Sequence, residues 1–104
     1  MTTVDDALFW DVAEQFLAAG ADRSTMMGFP CLRINGSFFA SLDHRTGDLI
    51  VKLPKERVDQ LIGDGIGQPF APAGRRFKEW VTIPDRDEDL WQHLAGEALD
   101  FATA

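Results

Sequence analysis

The pair Asn35-Gly36, set between two runs of strand-forming residues, constrains this chain more than any other feature. A two-residue type I′ turn needs positive φ at both central positions, and Asn-Gly adopts that geometry at least steric cost. Residues 28–53, GFPCLRINGSFFASLDHRTGDLIVKL, therefore read as a three-stranded antiparallel meander, with strands over about 27–34, 37–42 and 49–53. If Asn35-Gly36 is the whole loop, Ile34 faces Ser37, Leu32 faces Phe39 and Cys31 faces Ala40. One sheet face then carries Phe29, Cys31, Phe38, Ala40 and Leu42. The other carries Leu32, Ile34 and Phe39, with Ile50 from the third strand.

Both faces are thus substantially apolar, whereas a sheet covered by helices on one side normally alternates apolar and polar residues. Leu32, Ile34, Phe39 and Ile50 are accordingly expected to form an interface, most simply with a second copy of the chain in a homodimer.

Around the meander the periodicity changes. Phe9, Val12, Ala13, Phe16 and Leu17 fall at helical spacing after Thr3, a good N-cap, and before Gly20, so a helix is expected over 4–19. Pro54 suits the first turn of a short helix whose stripe is Val58, Leu61 and Ile62 and whose stop is Gly63. GDGIGQPFAPAG is expected to be an extended loop, with a short strand near Phe70. FKEWVTI, 77–83, alternates and ends at Pro84. Asp85 with Glu88 forms a capping-box pattern ahead of a helix buried through Leu90, Leu94, Ala98 and Phe101. The expected order is α-β-β-β-α-β-β-α: an α+β fold, two layers, with an antiparallel sheet flanked by helices, in one domain over 1–104.

Charge and composition narrow the function classes. One domain is all that 104 residues support. No run approaches the roughly 18 apolar residues of a membrane span, the first ten residues carry acids where a secretory leader carries bases, and a single cysteine permits no intrachain disulfide. A reduced, cytoplasmic protein is the expectation. The net charge of −7 is unevenly spread: residues 1–22 hold five acids and no Lys or Arg, 23–57 carry +3, and 58–104 carry −5. Such a balance repels polyanions at long range, while a local basic face still acts within a Debye length of about 8 Å.

Few side chains suggest chemistry. Cys31 is the only thiol, but it falls in mid-strand with no helix N-terminus beside it in sequence to favour a thiolate, and a buried, inert role is expected. His44 and His93 are expected to be surface residues. Asp85, Asp87 and Asp89 imitate the opening of a calcium loop, but Leu90 and Gly96 stand where that loop needs its Gly and Glu. Gly63, Gly65 and Gly67 follow a helix and precede a strand, the reverse of a phosphate cradle. No metal, cofactor or catalytic set is expected. Arg75, Arg76 and Lys78, with Arg33 and Lys52 from the sheet, are the residues that would contact phosphate if the chain binds nucleic acid.

Gly28-Phe29-Pro30, Arg33-Ile34-Asn35-Gly36, Phe39-Ala40-Ser41-Leu42 and Leu49-Ile50-Val51-Lys52-Leu53-Pro54 together resemble the G-x-P…R-v-n-G…F-A…l-x-l-K pattern of the MmcQ/YjbR-like family. Met26-Met27-Gly28, Gln68-Pro69-Phe70, Gly74, Trp80-Val81-Thr82-Ile83-Pro84 and the last helix are similar to the related TfoX N-terminal domain. The resemblance covers about 24–104 and implies helices packed on one side of an antiparallel sheet. Members are often described as DNA-binding or competence-regulatory. The matched motifs fall on turns, core aromatics and strand ends, and imply no catalytic residues. The sequence leads to the expectation of a non-enzymatic protein- or regulator-binding module. Nucleic-acid binding through the basic sheet and loop residues is the alternative, and an enzyme using Cys31 the reading with least behind it.

Overall fold

The computed structural model describes residues 6–26 and 28–104. In chain order the elements are α1 (Ala7–Ala18), β1 (Asp22–Met26), β2 (Phe29–Ile34), β3 (Ser37–Leu42), β4 (Leu49–Lys52), α2 (Lys55–Gly63), β5 (Gln68–Pro69), a single 3-10 turn (Pro72–Gly74), β6 (Trp80–Ile83) and α3 (Glu88–Thr103). The six strands form one antiparallel sheet in the order β1-β2-β3-β4-β6-β5. Helices pack on it, which is the α+β class expected.

The strand absent from the expected order is β1. Its sequence, DRSTM, lacks the alternation that marks a half-buried strand, because it lies at the sheet edge with Asp22, Arg23 and Thr25 exposed. Pairing to β2 makes it a strand, with Arg23 opposite Leu32 and Ser24 opposite Cys31. The strand expected over 77–83 begins only at Trp80. The last helix is capped by Asp87 rather than Asp85: the Asp87 carboxylate accepts the Leu90 N–H at 3.2 Å. The expected Thr3 cap lies outside the described residues.

Asn35 and Gly36 both have positive φ, 51° and 82°, as the turn chemistry requires. Beyond the turn the register departs from simple alternation. Ile34 faces Ser37 and Arg33 faces Phe38, but Leu32 then faces Ala40, so Phe39 is the extra residue of a β-bulge. The bulge flips the parity of β3. Phe39, Ala40 and Leu42 all turn to the helix side, where Phe39 meets Phe16 of α1 edge-to-face at 6.2 Å.

This corrects the expected interface. Leu32 and Phe39 lie inside the core and Ile34 packs against it, so they form no exposed face. Ile50 is also fully buried, on the opposite side of the sheet. The apparent excess of apolar residues on two faces is largely one apolar face, read without its bulge.

That face carries Leu32, Ala40, Leu42, Leu49, Val51, Val81 and Ile83, covered by Phe9, Val12 and Phe16 of α1, Val58 and Leu61 of α2, and Trp91, Leu94 and Ala98 of α3. α3 lies across the central strands, α1 against α3, and α2 against β5 and β6. Gly67 marks the tightest approach: a Cβ there would sit 2.6 Å from Cγ2 of Val81 and 3.3 Å from Cβ of Leu61. Arg57 of α2 grips Glu97 of α3 through two bonds of 2.9 and 3.0 Å, and His93 adds a third contact at 3.1 Å.

Candidate functional site: an aromatic pocket on the second sheet face

Away from the helices, the register lines up one row across the whole sheet: Ser24, Cys31, Ser41, Ile50, Thr82 and Gln68. Directly opposed residues share a face, so this row belongs to the side that the helices do not cover. Its centre is nevertheless dry, with Cys31, Ser41 and Ile50 all 0% exposed. Ser41 satisfies its hydroxyl by donating to the Pro30 carbonyl at 2.9 Å. Burial raises the Cys31 thiol pKa, opposed in part by a hydrogen bond with Ser24 and by the positive charge of Arg33. The thiol is neutral at pH 7 and out of reach, as expected of a structural cysteine.

Two residues along the strands from this row, in opposite directions, stand Phe29 of β2 and Trp80 of β6. Between them opens a pocket of about 590 Å³, whose walls are the rings of Phe29, Phe70, Phe77 and Trp80, with Pro72 and Ala73. Phe70 lies 5.8 Å from Phe77 and 6.4 Å from Trp80, centroid to centroid, so the three rings form one continuous wall. The loop that carries two of them is closed on itself: the Phe77 N–H donates to the Phe70 carbonyl at 3.0 Å. At its tip Ala73 holds φ of +55°, a conformation that costs a non-glycine residue on the order of 1–2 kcal/mol. Phe77 is the one large hydrophobic residue left exposed among those described, at 37%.

Two guanidinium groups complete the rim. Arg45 comes from the tight 43–48 loop, where the Asp43 carboxylate accepts its backbone N–H at 2.9 Å and lies 3.5 Å from Nε. Its guanidinium stands 5.9 Å over the Phe29 ring. Arg75 stands 5.5 Å over Phe77, and among the described residues no carboxylate reaches it. Cations over ring faces gain from the quadrupole while keeping their N–H edges free for an anion.

The residues singled out from sequence are brought together only in part. Lys52, Arg75, Arg76 and Lys78 surround a second groove of about 350 Å³, which shares Arg75, Phe77 and Trp80 with the pocket and also contains Glu79. Arg76 is paired with Asp59 at 3.3 Å. Arg33 is not part of that groove and lies 6.0 Å over Phe38. His44 is an exposed neighbour of Phe29, and His93 belongs to the α2–α3 tie. The Asp85 carbonyl accepts the Trp91 indole N–H at 2.7 Å, and Asp87 is the cap. Among the described residues no three His, Cys, Asp or Glu side chains gather where a metal ion would sit.

No motif in the sequence groups Trp80 with Phe29, Phe70, Phe77 and Arg45. Phe70 and Phe77 bracketing a Gly/Pro loop were the available signal, since two large rings in a loop seldom lack a packing role. Comparison of the chain with protein-family models, with curated proteins and with solved structures returns no match. Among the described residues, no helix is long and apolar enough to cross a membrane.

Proposed function

We propose that this chain is a non-enzymatic regulator-binding module, and that its recognition surface is the ring-walled pocket on the second sheet face. The observation that carries this reading is the pocket itself: four aromatic rings held open beside two guanidinium groups, on an otherwise acidic molecule. Concave apolar sites with a few placed polar groups are where proteins take ligands. The Ala73 backbone supports it further, because strained residues persist where a local shape is over-determined and gather at ligand sites. The resemblance to YjbR-like and TfoX N-terminal domains enters here as a proposal of kinship, resting on the quoted motifs.

The test is nitrogen–proton correlation spectroscopy of the labelled chain with a mixed panel: acidic peptides, single-stranded oligonucleotides and small organic anions. Shifts centred on Phe29, Phe70, Phe77 and the Trp80 indole N–H, with the probe recovered unchanged, are expected. No shifts with any class, or shifts centred on α1 and β1, would remove the reading.

A second reading has one observation in its favour. Lys52, Arg75, Arg76 and Lys78 lie beside Trp80 and Phe77, the combination of cations and stacking rings on which single strands bind. It stands behind the first because Arg76 is engaged by Asp59, Glu79 sits in the groove, and the molecule as a whole carries −7.

A further inference from the structure

We infer that the pocket selects a small monocarboxylate with an aromatic or aliphatic body. This rests on the pocket being the recognition surface, and it follows from the hydrogen-bonding inventory of the lining. The rings of Phe29, Phe70, Phe77 and Trp80 offer a ligand apolar contact and one donor, the Trp80 indole N–H. Arg45 and Arg75 offer only donors. No lining side chain can accept a hydrogen bond. A ligand that brings its own N–H groups, such as a nucleobase edge or an ammonium, would find only backbone carbonyls or solvent to accept them, which disfavours it against a ligand of acceptors alone. A carboxylate brings acceptors alone and matches the guanidinium fork in two parallel bonds.

Size and charge point the same way. About 590 Å³ lies within the usual range for small-molecule sites, roughly 300–1,000 Å³. That is room for a phenylalkanoate or a medium-chain acid. A single negative charge meets the two rim arginines without the long-range repulsion that a net −7 imposes on a polyanion. The Asp43 carboxylate already lies 3.5 Å from Arg45 Nε, so Arg45 has less to gain from a ligand carboxylate. Arg75, without a carboxylate partner, is the arginine with most to gain from one.

The experiment is calorimetric titration of the full chain with 4-phenylbutyrate and octanoate, each beside its primary amide, which keeps the body and removes the charge. Octyl phosphate tests carboxylate against phosphate on an alkyl chain of nearly the same length, and (dT)15 and an acidic peptide with a central Phe are included. Each carboxylate should bind at least tenfold tighter than its amide and than octyl phosphate. Arg75→Gln should abolish the advantage over the amide while leaving amide binding unchanged. Phe77→Ala should weaken acid and amide together. Both variants change exposed loop residues, and an unchanged melting temperature confirms their fold.

Equal affinity for acid and amide, or equal or tighter binding of octyl phosphate, overturns the inference. So does carboxylate binding that Arg75→Gln and Phe77→Ala leave untouched. If the peptide or (dT)15 binds through Phe77 and the carboxylates do not, the inference falls while the pocket remains a recognition surface. If no probe binds and Phe77→Ala instead dissociates a dimer, the pocket is occupied by a second copy, and both fall.

Discussion

Cys31 illustrates how a residue's neighbours decide its chemistry. Its thiol is closed in the middle row of the sheet, and burial outweighs the Ser24 hydrogen bond and the Arg33 charge that would favour a thiolate. Labelling of the native protein by a thiol reagent at pH 7.5 should therefore follow global unfolding, with no fast phase. The same thiol makes stability fall at alkaline pH. Its folded pKa is raised, so above about pH 8.5 the unfolded chain loses the proton first and is favoured until the folded pKa is passed. Chemical denaturation at several pH values should show Cys31→Ala losing less stability than the wild type over that window. Asp87 acts on a smaller scale: it satisfies one free N–H at the start of α3, and Asp87→Ala should cost about 1 kcal/mol in a urea titration. Asp85 was the cap expected by spacing, since Glu88 completes its capping box; the spacing misled because either carboxylate could serve until the path of the chain from β6 was known.

At the level of elements, the meander was legible because its determinants are local. Asn35-Gly36 specifies its turn whatever surrounds it, and Leu49 to Lys52 alternates between two buried environments. The bulge was not legible. An extra residue at Phe39 becomes favourable only because it brings Leu32, Phe39, Ala40 and Leu42 to the same helix-covered side, a gain that needs α1 and α3 in place. The edge strand β1 was missed for a related reason, as its pairing with β2 is what makes it a strand. The bulge also changes what a substitution there should do. Phe39→Ala empties a fully buried site against Phe16 and should cost roughly 3–5 kcal/mol by thermal or denaturant unfolding. Phe39→Asp should yield no folded protein, where an interface residue would have yielded a folded monomer. The pocket was half visible: Arg75 stood in the basic cluster near the Gly/Pro loop, but nothing in the sequence gathered Phe29, Arg45 and Trp80 around it.

The whole molecule combines a helix-covered core with a second face that is dry at its centre and open at the ring-walled concavity. Its charge is arranged so that bases gather beside that concavity while acids dominate both ends of the sequence. Duplex DNA should consequently bind no tighter than the usual non-specific range of about 10⁻⁶–10⁻⁴ M near 150 mM salt; sub-micromolar binding in an anisotropy titration would contradict this. The hydrogen bond from Phe77 to Phe70 has a different kind of consequence. It pins the two ends of the 70–77 loop to each other, so composition at 71–75 can change with little effect on β5 and β6, while Arg76 stays tied to the scaffold through Asp59 of α2. A fold of this kind can acquire new ligands by rewriting one short loop.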